Sequence, residues 1–211
     1  MANAGGATPI LPAEYQQVKY LESSYTQYID TLYTPTTNNL RIVTKLNVLR
    51  EGNSNDRFFG SQNASTCSPL SWFTSGHGGS KPLGLIAAGT SYYLGQVNTS
   101  YNTIYDIDVT ANNGSLTGNY CGYALNASYN GSVRNNLSIY IFGSNVNSPQ
   151  AGRDRCYARF YKFEIYSNDE QKFNGIPCYR KSDNKPGMYD LVSNTFFTNA
   201  GTGEFTVGNN V

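Results

Sequence analysis

Apolar and polar residues alternate with a period of two through much of the chain, the signature of half-buried strands whose successive side chains point to opposite faces. Leu40, Ile42, Thr44, Leu46 and Val48 fall on one face, and Arg41, Lys45 and Asn47 on the other. The rhythm returns in Tyr101, Thr103, Tyr105, Ile107 and Val109, set against Asn102, Ile104, Asp106 and Asp108, and again in Leu137, Ile139 and Ile141. Over 155 to 166 the apolar phase slips, from Ala158 and Phe160 to Phe163 and Ile165. A β-bulge near Tyr161, or a strand buried on both faces, accounts for the slip. No window of about 12 residues carries a 3.6-residue apolar stripe. At most one helical turn is expected, from Ala13 to Gln17, because Pro12 suits the start of a helix.

Turn signals at Glu51-Gly52, Asn113-Gly114, Asn130-Gly131 and Asn174-Gly175 place residues that tolerate positive φ where hairpins reverse. Strands joined by tight turns predict antiparallel sheets. The 211 residues suit one all-β sandwich able to bury a core without disulfides or metals. Residues 12–211 are expected to form that domain. Residues 1–11 are small and apolar, lack periodicity, and read as a tail that either docks on a neighbouring subunit or lies along its own domain.

Charge then removes several classes of partner. Charged residues are 14% of the chain and the formal net charge is +1, so nothing here is built to neutralise a run of phosphates, and nucleic acid is not expected as a partner. No apolar run approaches the roughly 20 residues that span a bilayer, and the opening residues lack a basic and apolar leader, so no membrane association is expected. In place of charge the chain carries Asn, Ser, Thr, Gly and 18 Tyr, a composition for exposed strands and wettable aromatic surface. Outward-facing composition without an export signal is expected of a virion component made in the host cytoplasm and released by lysis. The cysteines, Cys67, Cys121, Cys156 and Cys178, contain no Cys-x-x-Cys, which argues against zinc. In a reducing cytoplasm they are expected to stay free and buried, with a Cys156–Cys178 bridge as the alternative.

Two stretches frame the domain: LESSYTQYIDTLYTP at 21–35 and IPCYRKSDNKPGMYDLVSNTFFTNAGTGEF at 176–205. With Pro12 to Tyr15 and Tyr140 to Phe142, they resemble laminin-G-like, concanavalin A-like jelly-roll modules of bacteriophage virion proteins and gut bacterial surface proteins. The resemblance spans roughly residues 12 to 208, close at both ends and loose between. It implies an antiparallel jelly-roll β-sandwich whose first and last strands pair, and a protein that binds and displays rather than catalyses. Where that family usually has Gly before and after the Thr-Gln-Tyr strand, this chain has Tyr25 and Leu32; where it has Gly after Lys-Ser-Asp, this chain has Asn184. Asn also tolerates a left-handed backbone, so that last turn is expected to survive.

Catalytic constellations are poorly represented. Asp106-Ile107-Asp108 puts two carboxylates on one strand face, as some glycosidases of related fold do, but Thr110 stands where a third acid would follow. A solvated face is the expected reading, with a cation site at Asp106 and Asp108 the weaker alternative. His77, the single histidine, is flanked by Gly76 and Gly78 and lacks the rigidity a catalytic base needs. No catalytic residue and no cofactor is assigned, and a degenerate glycan hydrolase is the least favoured class.

Sugar binding needs aromatic rings to stack on apolar sugar faces and amides or backbone groups to hold hydroxyls. The candidates are Trp72 and His77 beside and within the Gly-rich loop, Tyr92 and Tyr93 on a short strand, and Tyr129, Arg134 and Asn135 in the Asn-rich loop. The expectation is a non-enzymatic virion surface protein of capsid-decoration, head-fibre or receptor-binding type. Its partners would be other virion proteins or further copies of itself, and host or mucosal glycans. The alternative is a carbohydrate-recognition module of a bacterial surface protein or carbohydrate-active enzyme.

Overall fold

A computed structural model describes residues 11–50, 56–63, 66–73, 82–87, 90–98, 100–146 and 155–211. From the N-terminus come β1 (Tyr15–Gln17), β2 (Leu21–Ser24), β3 (Ile29–Asp30), β4 (Asn39–Arg50), β5 (Arg57–Asn63), β6 (Thr66–Cys67) and β7 (Leu70–Phe73). Next are β8 (Pro82–Ala87), β9 (Thr90–Asn98), β10 (Ile104–Asn112), β11 (Ser115–Tyr120), β12 (Tyr123–Ser128), β13 (Tyr140–Ile141) and β14 (Asn145–Val146). The chain closes with β15 (Tyr157–Ser167), β16 (Glu170–Arg180), β17 (Lys185–Asp190), β18 (Thr195–Thr198) and β19 (Thr206–Val207). Among the described residues there is no helix. The helical turn expected after Pro12 is instead a tight turn, closed by the Tyr15 amide donating to the Pro12 carbonyl at 3.0 Å, and it leads directly into β1.

The strands form an all-β sandwich. One sheet runs β12-β11-β10-β4-β15-β16-β17-β18, with β2 on β15, β19 on β2 and β1 on β16; the other runs β3-β13-β5-β7-β8-β9, with β6 and β14 on β5. Among the described residues, pairing is antiparallel except between β14 and β5. The two ends of the chain lie side by side: Thr206 opposes Glu22, Val207 opposes Leu21, and Val18 bridges to Asn210. Near the join, the Ala200 and Thr202 amides donate to the carbonyls of Tyr28 and Thr26.

The period-two reading of β4 holds, since Leu40, Ile42, Thr44, Leu46 and Val48 are all buried, although Asn47 on the opposite face is buried too. In β15, Phe160 opposes Leu46 and Lys162 opposes Lys45, leaving Tyr161 as the extra residue. That bulge resets the apolar phase, so Ala158, Phe160, Phe163 and Ile165 all enter the core. Phe59 of β5 meets Phe163 of β15 edge to face at 5.5 Å, tying the sheets together, and Phe142 packs on Phe160 at 4.6 Å and Phe205 at 4.8 Å. Such aromatic contacts add about 0.5–1.5 kcal/mol each beyond the area they bury.

Several turns and boundaries differ from the sequence expectation. The alternation assigned to Tyr101 and Thr103 lies ahead of β10, in a turn with Asn102 at φ 61°. Of the Leu137–Ile141 run only Tyr140 and Ile141 form a strand. Asn113-Gly114 does reverse β10 into β11, with φ of 44° and 92°. Asn130-Gly131 reverses no hairpin, because β12 is a sheet edge and the next strand belongs to the other sheet. Asn174-Gly175 lies inside β16; the reversal falls at Asn168-Asp169, with φ of 49° and 63°. Gly175 answers to crowding rather than turning, since a Cβ there would lie 2.6 Å from the Phe173 ring. Glu51-Gly52 lies outside the described residues.

Residues 1–10 likewise lie outside them, but Leu11, assigned to the tail, packs with Cys178 and Tyr189 in a small second cluster. Cys121, Cys156 and Cys178 are free and buried. Cys156 sits in the main core and Cys178 in the second cluster, so the bridge between them does not form. Burial pushes the Cys121 and Cys178 thiols up to about 12 and Cys156 well above the usual range.

Candidate functional site

Among the described residues, polar and aromatic side chains gather at a rim where the chain leaves β2 and crosses to β3. Four consecutive residues make the crossing: Tyr25, Thr26, Gln27 and Tyr28. Gln27 is 2% exposed and anchors it. Its Oε1 accepts from the Ser24 amide at 2.8 Å and the Ser23 hydroxyl at 3.1 Å, while Nε2 donates to the Glu204 carbonyl at 3.1 Å. The closing run presses against the same segment, and a Cβ on Gly201 would lie 2.1 Å from the Thr26 carbonyl oxygen, so only glycine fits there.

Held this way, Tyr25 takes a left-handed backbone with φ 90°. For an aromatic residue that conformation costs about 1–3 kcal/mol and persists only where its surroundings over-determine it. Leu32 shares the condition at φ 58° and is 72% exposed. The two positions that depart from glycine in the resembled family therefore keep the glycine-like backbone, and so does Asn184, at φ 55°.

The strain at Tyr25 places its ring on Tyr157 of β15, centroids 4.9 Å apart and planes 29° from parallel. The Arg50 guanidinium lies 3.8 Å from the Tyr157 centroid. On the other side of Thr26 the arrangement repeats: Tyr28 stacks on Tyr140 at 4.7 Å and 28°, and Arg155 lies 5.0 Å from the Tyr28 ring. An Arg155 Nη1 hydrogen bond to the Thr26 carbonyl ties this second stack to the crossing. Burial, then the Asp30 carboxylate and the Tyr28 contact, push the Tyr140 phenol up to about 12, so it remains a neutral donor at any ordinary pH. Tyr20 and Tyr161 extend the rim edge to face at 5.5 Å, with Arg159 4.6 Å from the Tyr20 centroid and bonded to Glu22 at 2.5 Å. All six tyrosines are half-buried. The rings are thus fixed before any ligand arrives, each presenting apolar surface next to polar groups.

The residues singled out from sequence fare differently. Tyr129 is 6% exposed and belongs to the core, where burial raises its phenol pKa, so its ring is no surface platform. Asn135 is absorbed in structure: its Nδ2 donates to the Ser61 hydroxyl at 3.0 Å and its Oδ1 accepts the Leu137 amide at 2.8 Å, fastening the Asn-rich loop to β5. Arg134 is exposed in that loop, its amide donating to the Ser132 hydroxyl at 3.1 Å. Trp72 lies on β7, and strand register puts Trp72, Gly84 and Tyr93 in one row across β7, β8 and β9, with Tyr92 opposite Leu85. His77 lies outside the described residues.

Asp106 and Asp108 do share the outer face of β10, yet each is matched to a cation on β4. Asp108 takes a two-pronged bond from Arg41, 2.7 Å on both prongs, and Asp106 sits 3.4 Å from Lys45. The Arg41 bond holds the Asp108 carboxyl below the usual carboxylate range. Among the described residues no cluster of three or more His, Cys, Asp or Glu could hold a metal ion.

Sequence reasoning missed the rim, although part of it is written plainly. With Ala158 and Phe160 inward, the intervening positions Arg155, Tyr157, Arg159 and Tyr161 give an outer face that alternates Arg with Tyr. The pairing of these residues with 25–28, 50 and 140 is not a local property.

No family model and no curated protein matches the chain. Among solved structures, the native heptameric SAP-like pentraxin of Limulus polyphemus is similar over 96% of this chain and 97% of its own, with a TM-score of 0.55 and 10% sequence identity. At that identity the likeness speaks for the jelly-roll fold alone.

Proposed function

We propose that this chain is a non-enzymatic, lectin-like recognition module that binds glycans through the rim, as a bacteriophage virion surface protein of capsid-decoration, head-fibre or receptor-binding type. The observation that carries the reading is the pair of arginine-capped tyrosine stacks on either side of Thr26, one held by a strained Tyr25 backbone. Backbone strain and fixed aromatic surface concentrate where binding needs preorganisation, because a ring already immobilised loses little entropy when a sugar stacks on it.

Display is supported by a composition low in charge and rich in Tyr, Asn and Ser, and the virion setting by the resemblance of the terminal runs. Against hydrolysis stands the capture of Asp106 and Asp108 in ion pairs with Lys45 and Arg41. Assembly with further copies or other virion subunits is in keeping with the heptameric state of the Limulus pentraxin.

A glycan array comparing wild type with Tyr157→Ala and Tyr25→Ala tests the reading. Binding that both variants lose while keeping a cooperative melt supports it; no binding by wild type, or binding indifferent to both changes, ends it. Imaging native particles with a labelled antibody tests the virion setting, and glycan binding by a protein that occurs only as a free monomer favours the bacterial-module alternative.

A further inference from the structure

Cations on the described surface are mostly neutralised by neighbouring acids. Arg41 is matched with Asp108, Lys45 with Asp106, Arg159 with Glu22, Lys162 with Glu164, Lys172 with Glu170, Arg180 with Asp183 and Lys185 with Glu204. Lys19, Arg134 and Lys181 have no such acid among the described residues, but of the unmatched cations Arg50 and Arg155 are the two that lie over rim tyrosines. Among the described residues neither has a carboxylate partner, and these two cap the stacks on either side of Thr26. Arg50 is exposed, and its guanidinium packs on Tyr157 rather than on an acceptor. A guanidinium lying over a ring keeps its N–H donors directed outward in its own plane, the fork that matches a carboxylate. Arg155 uses Nη1 on the Thr26 carbonyl and keeps further donors. The nearest acid on the Tyr28 side, Asp30, accepts the Leu32 amide at 2.9 Å.

We infer that the rim selects acidic sugars, with Arg50 as the principal carboxylate-binding residue and the Tyr25–Tyr157 stack as the platform for the sugar ring. This rests on the glycan-binding reading above and adds the charge class of the ligand. A neutral sugar would use the rings and leave the Arg50 donors to water. A carboxylate-bearing sugar takes a charge-assisted, two-pronged bond, stronger than a neutral one and weakened by salt.

The test uses one matched pair of probes: a glucuronic acid-containing oligosaccharide and the same oligosaccharide with its carboxyls reduced to alcohols, each titrated calorimetrically against the full chain. The acid form should bind at least about tenfold more tightly than the reduced form, and its affinity should fall as salt rises from about 50 to 500 mM. Arg50→Gln should remove that advantage without changing the melting temperature. Lys172→Gln, a charge removed near the start of β16, should leave it intact. Equal binding of both forms, lost in Tyr157→Ala but indifferent to salt and to Arg50→Gln, overturns the acidic selection while the recognition reading stands. A sulfated oligosaccharide outcompeting the carboxylate form overturns the assignment of the carboxylate. Binding of no glycan at all defeats the recognition reading itself.

Discussion

Leu32→Gly should make this protein more stable, although it deletes a large apolar side chain. Leu32 holds φ 58° and is 72% exposed, so its side chain contributes little packing while its Cβ is forced against the left-handed backbone. Relieving that clash returns about 1–2 kcal/mol, and the greater freedom of glycine in the unfolded chain takes back about 0.5–1 kcal/mol. The net gain is about 0.5–1 kcal/mol, a rise in melting temperature of roughly 1–4 °C for a domain of this size. Leu32→Ala is the necessary control: it removes the same exposed surface but keeps the Cβ, and should gain nothing. Urea unfolding of the three proteins measures the difference, with the slope expected to stay constant. If glycine is no more stable than alanine at this position, the backbone at 32 is not strained and the same argument fails at Tyr25. At Tyr25 the substitution cuts both ways. Tyr25→Gly relieves comparable strain but loses the stack on Tyr157, worth about 0.5–1.5 kcal/mol, so its stability should sit near wild type while rim binding disappears.

Three further outcomes follow from other sites. Asp190 is 1% exposed and accepts the Asn174, Val192 and Ser193 amides and the Ser193 hydroxyl, so Asp190→Ala should lower stability by at least about 3 kcal/mol in urea unfolding; a loss below about 1 kcal/mol would show that this network does not hold the closing hairpin. With their pKa values raised by burial, Cys121, Cys156 and Cys178 should resist a thiol reagent at about pH 8 until the protein unfolds, so rapid labelling of any of them, located by peptide mass, would contradict their burial. The native Asp108 carboxyl is held below its unfolded value, so its ion pair with Arg41 contributes above the ordinary carboxylate range and is lost as pH falls through the lowered native value. Both side chains are 43% exposed, which limits the contribution to about 1 kcal/mol or less. The gap between wild type and Asp108→Asn in urea midpoints should therefore be open at about pH 6 and closed by about pH 2; a gap that ignores pH would refute the assignment.

Much of the fold was legible in the residues because strand pleating is local. Alternation identified β4 and most of β10 and β15, and the slip in the apolar phase left a bulge near Tyr161 or a strand buried on both faces, between which the β4–β15 ladder decides for the bulge. The terminal runs announced their own pairing, borne out by β19 on β2 and by the contacts of 200 and 202 with 28 and 26. Turn residues were a weaker guide. Asn174-Gly175 carries the same signal as Asn113-Gly114, yet one is mid-strand and the other a hairpin, because a glycine required by a neighbouring Phe ring and one required by positive φ look alike in sequence.

The sequence by itself determined the strands and their inward faces, consequences of a two-residue period and of local backbone preference, while the meeting of the two ends was implied by the resemblance of the terminal runs. Only the tertiary structure decided the site. It buried Tyr129, bound Asn135 to β5, matched Asp106 and Asp108 with cations, and gathered residues 25–28, 50, 140 and 155–157 at one rim. The physical reason is that a side chain's neighbours across a sandwich depend on ladder register and on where the chain changes sheets, and both are settled by many distant contacts acting together.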